Sequence, residues 1–257
     1  MGRTFALADL HGQRALWDKI RNYLRPDDQL FFLGDAIDRG PDGYAIMKEL
    51  LLDGRVTYIM GNHEFMMMEA LQEIRHYGGE WVGEKLDIWS WNGAYPTLEA
   101  WAADGSMFDW IHVIDKEMPE YIEYTNTKGQ IIGLSHAGFT PGECKPWRYD
   151  IVWDREHIAA EVPEGYRGGH FMIVHGHTPT PHLKMKLDRL NQSAAWARKD
   201  GNWNGRLWEY KEQDGAVFYG EGFVKVDIDC GCFATGHTVL LNLDTWETIG
   251  FDAEIEE

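Results

Sequence analysis

Cysteine is scarce in this chain. Cys144, Cys230 and Cys232 are the only three among 257 residues, and their spacing suits neither a zinc cage nor a disulfide framework. A reducing, cytoplasmic setting is the expectation. Long apolar runs are missing as well: nowhere do about 18 apolar residues follow one another, so no helix is expected to cross a membrane. Met1–Leu10 holds one Arg and a short apolar run ended by Asp9, without the long core of a secretory signal. Ala6 stands where a myristoylation signal wants Ser or Thr. Positive charge is in short supply, with 24 basic against 42 acidic side chains and a formal net charge of -18. Nucleic-acid affinity rests largely on Lys and Arg neutralising phosphates, which argues against such a partner.

What is present is an ordinary globular mix, 44% hydrophobic and 26% charged, long enough for a single domain over 1–257. Thr4–Ala8 reads as a buried strand, Gln13–Leu24 as an amphipathic helix and Gln29–Leu33 as a second strand. After the Pro41-Asp42-Gly43 turn signal come a helix over Tyr44–Leu52 and a strand over Val56–Met60. This β-α-β-α-β order predicts a mostly parallel α/β sheet. Further strands are expected at Gln130–Leu134, Phe171–Val174, Val224–Ile228 and Val239–Leu243. Met66–Tyr121 reads as mainly helical, and Glu156–Ala160 as a short further helix. Residues 184–222 resemble an aromatic-rich insertion carrying Trp196, Trp203, Trp208, Tyr210 and Tyr219. The Asn204-Gly205 turn signal suggests an exposed hairpin there, which either covers a sheet face or walls a substrate groove. The acidic end Glu254–Glu257 reads as a solvated tail.

Each early strand runs into a loop bearing Gly or Asp: Asp9-Leu10-His11-Gly12, Gly34-Asp35 and Gly61-Asn62-His63-Glu64. Two later strands deliver Ser135-His136 and His175-Gly176-His177-Thr178. Ligands of open α/β sheets bind beyond the carboxyl ends of strands. Asp9, His11, Asp35, Asn62, His136 and His177 are therefore expected to converge on one edge of one sheet. Carboxylate, amide and imidazole donors without thiolates suit two divalent cations, manganese first and iron or zinc after it. A two-metal site needs a shared carboxylate, for which Asp35 is the candidate. Arg39 offers a bidentate fork to phosphate. His63 is placed to be a general acid, with Asp38 to orient its ring.

The motifs Asp9–Gly12, Gly34–Gly40 and Gly61–Glu64 resemble the three signatures of PPP-type, calcineurin-like metallophosphatases. Gly61–Leu71, Val152–Ile158, Gly176–Pro179 and Val226–Phe233 are similar to segments of phage lambda-type and bacterial serine/threonine protein phosphatases. The likeness runs along nearly the whole chain outside 184–222, with Ala8 and Cys230 as minor departures. It implies two mixed β-sheets packed as a sandwich flanked by helices. It also implies Asp9, His11 and Asp35 on one metal, with Asp35, Asn62, His136 and His177 on the other. His63 becomes the acid, Asp38 its partner, and Arg39 with Arg155 the phosphate clamps. The implied activity is phosphomonoester hydrolysis by a dimetal-activated hydroxide on phosphoprotein or phosphopeptide substrates, with phosphotyrosine and small aryl phosphates as further candidates.

Two rivals share these motifs: a symmetrical dinucleoside tetraphosphatase, and a catalytically silent metal-binding interaction module. Against the second, a silent descendant has no chemical reason to keep His63, Asp38 and Arg39 together. In the His175-Gly176-His177 triplet either imidazole could be the ligand, and motif position favours His177. Arg148 competes with Arg155 for the clamp. Met66-Met67-Met68 reads as core filler, and Cys230 and Cys232 as buried thiols. His76, His112, His157, His170, His182 and His237 have no evident constellation.

Overall fold

The computed structural model describes residues 2–104, 109–141, 148–199 and 207–253, with the side chains of 148, 149 and 196–199 left aside. Its first half is the expected β-α-β-α-β: β1 (Thr4–Leu7), α1 (Arg14–Tyr23), β2 (Gln29–Phe32), α2 (Gly43–Leu52) and β3 (Val56–Tyr58). Pairing of β1 with β2 and of β2 with β3 is parallel. The helical stretch resolves into α3 (Asn62–His76), α4 (Glu84–Trp91), α5 (Tyr95–Asp104) and α6 (Asp109–Glu117). It stops short of Tyr121, which opens β4 (Tyr121–Thr125), antiparallel to β5 (Ile131–Ser135).

Then come α7 (Arg148–Trp153), β6 (Phe171–His175) and the twenty-residue α8 (Thr180–Lys199). β7 (Tyr210–Gln213), β8 (Ala216–Tyr219), β9 (Lys225–Asp227), α9 (Cys232–Thr235), β10 (His237–Asn242) and β11 (Thr248–Asp252) complete the chain. The strands form a five-stranded sheet, β11-β10-β1-β2-β3, and a six-stranded one, β4-β5-β6-β9-β8-β7. Both are mixed, as the family likeness implies.

Strand alternation builds the sandwich. Ala6, Phe31, Leu33, Ile132, Leu134, Val174, Phe218, Val226, Val239 and Leu241 meet in one apolar cluster between the sheets. The alternate residues Phe5, Leu7, Leu30 and Phe32 pack instead with Leu16, Trp17, Ile20, Ile46 and Leu50 of α1 and α2. At roughly 25 cal/mol per Å² of apolar surface removed from water, these two layers are the main favourable contribution to the fold.

Two expectations are corrected. The metal-donor loops stem from both sheets, β1 to β3 of one and β5 and β6 of the other, rather than from one edge of one sheet. Glu156–Ala160 forms turns, and the helix lies just before it, at α7. The described part of 184–222 is most of α8 plus a hairpin turning at Asp214-Gly215; β8 pairs with β9, so the segment forms one edge of the second sheet. Asn204-Gly205, Trp203, Cys144 and the acidic tail lie outside the described residues.

Candidate metal centre and phosphate site

Close backbone approach brings the strand-end loops together. Gly34 has φ +92, and a Cβ there would meet Gly61 Cα at 2.4 Å; a Cβ on Gly61 would meet Asp35 Oδ1 at 2.2 Å. Only glycine at both positions lets the loops after β2 and β3 touch. Glu64, fully buried, fastens them: its carboxylate accepts N–H groups of Asp35 (2.8 Å), Ala36 (3.0 Å) and Gly61 (3.1 Å), and the Tyr58 hydroxyl at 2.8 Å. Glu64 closes the Gly61–Glu64 motif, and its bracing task is not visible in the sequence.

The loops converge on Asp35. Ligand atoms of His11, Asp35 and His63 lie within 4.8 Å of one another, as do those of Asp35, His136 and His177. Asp35 Oδ2 is 3.7 Å from His11 Nε2, 3.8 Å from His63 Nε2 and 3.5 Å from His136 Nε2. Asn62 Oδ1 touches His136 Nε2 and His177 Nδ1, both at 2.8 Å. Asp9 sits beside the group, its Oδ2 accepting the backbone N–H of His177 at 3.1 Å. All six donors expected from sequence are thus neighbours, and all are buried.

The chemistry of these donors fits cations. His11 and His136 donate Nδ1–H to the carbonyls of Ile37 (3.0 Å) and Leu33 (2.7 Å). Burial pushes His11 down to about 3 and lowers His136 and, further, His177. These rings are therefore neutral, and their Nε2 atoms carry lone pairs. His136 Nε2 consequently faces the Asn62 oxygen as acceptor to acceptor, a contact that a cation between them would resolve. His177 Nε2 is buried without a hydrogen-bond partner. Burial pushes the Asp9 carboxyl well up, with Asp229 and Asp35 adding repulsion that a positive ion would relieve. Burial acts the same way on Asp35; positive charge on the imidazoles around it, His136, His63 and His11, would hold that carboxyl below its usual range, and where those rings are neutral a cation among them would do the same.

Beside the donors stands a proton-handling pair. His63 donates Nδ1–H to Asp38 Oδ2 at 2.6 Å. Burial works to lower His63, and the attraction of Asp35 and Asp38 outweighs it, so its pKa is raised. Asp38 is held by two residues that sequence reasoning missed: Trp89 Nε1–H reaches its Oδ2 at 2.7 Å and the Thr97 hydroxyl its Oδ1 at 2.6 Å. Arg39 extends its guanidinium to His11 Nε2 (2.8 Å) and His63 Nε2 (3.1 Å), while its backbone N–H donates to Gly93. Arg155 lies along the loop after β6, its Nε–H donating to the Thr178 hydroxyl at 3.3 Å. His175 is turned elsewhere, Nδ1–H to the Gly176 carbonyl and Nε2 to the Tyr219 hydroxyl, so His177 is the imidazole that joins Asp35.

Backbone strain concentrates here. Asp9 (φ 53), His11 (φ 42), Asp35 (φ 62), Asp38 (φ 70), Arg39 (φ 66) and His177 (φ 68) all adopt the left-handed region that residues with a Cβ avoid.

Comparison with known proteins agrees with this geometry. A family model described as calcineurin-like phosphoesterase matches residues 2–238. Serine/threonine-protein phosphatase 1 of Salmonella typhimurium is 25% identical over 201 residues, covering 73% of this chain and 82% of its own. A symmetrical bis(5'-nucleosyl)-tetraphosphatase of Burkholderia pseudomallei is 34% identical over 86 residues, 32% of this chain and 30% of its own. Among solved structures, a candidate diadenosine tetraphosphatase superposes with a TM-score of 0.56 at 14% identity, over 98% of this chain and 94% of that one. At that identity the likeness is one of fold.

Proposed function

The chain belongs to the calcineurin-like phosphoesterase family, and from that premise we propose that it is a metal-dependent protein phosphatase acting on phosphoserine and phosphothreonine. The carrying observation is His63, bonded to Asp38 on one side and facing both Arg39 and the shared Asp35 on the other. Asp9, His11 and Asp35 would hold one divalent cation, and Asp35, Asn62, His136 and His177 a second. Bound there, the pair would supply Lewis acidity and a lowered pKa for water; oxygen and imidazole donors without thiolate suit manganese.

The protein's own groups supply the rest. Arg39 offers a guanidinium fork to the phosphoryl oxygens, and Arg155 reaches the same region from the opposite sheet. Water attacks phosphorus opposite the leaving oxygen, and the bond from phosphorus to that oxygen breaks. His63 hands a proton from Nε2 to the departing alkoxide, while Asp38 fixes the ring by holding Nδ1–H. Trp89 and Thr97 keep the Asp38 carboxylate in place, since both its oxygens are committed.

A protein substrate is supported by the Salmonella relative, whose likeness runs through most of both chains. A dinucleoside polyphosphate is the second reading, favoured by the stretch that matches the Burkholderia tetraphosphatase. Competing hydrolysis in manganese buffer decides between them. Turnover of a phosphoserine peptide should exceed that of diadenosine tetraphosphate, and the reverse ranking would replace the first reading by the second. Cytoplasmic residence remains an expectation; no helix among the described residues is long and apolar enough to cross a membrane.

A further inference from the structure

Arg155 follows α7 on a turn without regular structure, and two distant elements grip that turn by its backbone. Lys186 of α8 donates Nζ–H to the Arg155 carbonyl at 2.6 Å. Lys225 of β9, buried and pushed down to about 8 by that burial, donates to the carbonyls of His157 and Ala160. Ile158, in the same turn, packs in one apolar cluster with Leu183 and Leu187 of α8 and Val217 and Tyr219 of β8.

A buried polar relay ties the turn to the metal-donor loop. His175 Nδ1–H is committed to the Gly176 carbonyl, so the Tyr219 hydroxyl donates to His175 Nε2 at 2.7 Å. That leaves the Tyr219 oxygen to accept from His157 Nε2 at 3.2 Å. The relay ends there: His157 Nδ1, 3.3 Å from Asp154 Oδ2, is buried without a hydrogen-bond partner. Arg155 lies two residues before the His157 so held, and its own Nε–H reaches Thr178.

Lys186 and Tyr219 both belong to the aromatic-rich segment 184–222. We infer that two residues of this segment mount the clamp: Lys186 and Tyr219 fix where Arg155 meets the phosphoryl oxygens, and so set phosphate affinity. Both are positioning residues. The inference rests on Arg155 being a phosphate clamp, as the proposed function has it.

The test is orthophosphate binding to the manganese-loaded full chain, measured by calorimetry alongside melting temperature. Arg155→Met should weaken phosphate by about 10- to 100-fold, the range for hydrogen bonds to charged groups. Lys186→Met, a partly exposed position, and Tyr219→Phe should each weaken it about 3- to 10-fold, a fraction of that loss. Lys186→Arg should restore it, and neither change should add to Arg155→Met, because the mount has then nothing left to position. Unchanged affinity in both mount variants, with Arg155→Met still weak, overturns the inference and leaves the clamp standing. Mount effects that persist in the Arg155→Met background indicate general loosening and overturn it too. Full affinity in Arg155→Met removes the clamp itself and the inference with it.

Discussion

The two halves of the site are held in different ways. Loops of the first sheet carry Asp9, His11, Asp35, Asp38, Arg39, Asn62 and His63, and their braces are side chains that saturate one another: Glu64 takes four donors and Asp38 is filled by His63, Trp89 and Thr97. The second sheet carries His136, Arg155 and His177, and its braces are cations gripping backbone carbonyls from afar, Lys186 and Lys225. In the first half position is set by carboxylates inside short motifs; in the second it depends on tertiary contacts between remote segments. In the proposed reaction the proton donor His63 belongs to the first half, and the phosphate clamp Arg155 to the second.

That contrast can be broken at several points. His63→Asn should lower turnover of phosphoserine peptides by about 10²- to 10⁴-fold and turnover of p-nitrophenyl phosphate far less, because a good leaving group needs little protonation. Equal losses on both substrates would strip His63 of the acid's role. Glu64→Gln exchanges a carboxylate that accepts throughout for an amide that turns donors toward donors. About 3 kcal/mol of unfolding free energy should go, measured by urea denaturation. Lys225→Met leaves two carbonyls of the Arg155 turn without their donor and should cost about 2 kcal/mol in the same assay. A larger loss for Lys225→Met than for Glu64→Gln would invert the ranking of the two halves.

The smallest effect concerns the tie between the halves. His237, at the start of β10, bonds to Asp252 Oδ1 at 2.7 Å and to the carbonyl of Asp214, in the β7–β8 turn, at 2.9 Å. Burial works to lower His237, and those two partners outweigh it, so its folded pKa is raised above 6.5. A raised folded pKa means stability fully present below about 6.5, the unfolded value, and lost as pH rises through the folded one. His237→Gln should flatten that dependence, removing no more than about 0.5 kcal/mol because the site is partly solvated. An unaltered slope of melting temperature against pH would show that the tie has no protonated component.

The first half was legible in sequence because its donors sit within a few residues of a strand end, and strands with helices between them place their loops together. His136 and His177 followed by the same rule. Trp89 and Thr97 were not legible: they lie 51 and 59 residues beyond Asp38, within helices whose composition resembles core packing. His157 had no visible constellation because its partner, Tyr219, lies 62 residues further on, in β8. Asp214-Gly215, with φ 48 and φ 91, makes the described hairpin turn between β7 and β8, a pair that sequence reasoning does not single out. The helical stretch takes in only Tyr121 of β4, and the rest of that strand, which pairs with β5, has no reading from sequence.

Left-handed backbone at Asp9, His11, Asp35, Asp38, Arg39 and His177 has a practical consequence. Glycine would relax any one of these positions by about 1 kcal/mol, so a search for hardier variants by melting temperature alone would be drawn toward these six and would delete a donor, an orienting carboxylate or the guanidinium each time. Sites where a glycine substitution raises the melting point while metal uptake or turnover collapses would trace the outline of the reaction centre without any substrate in hand.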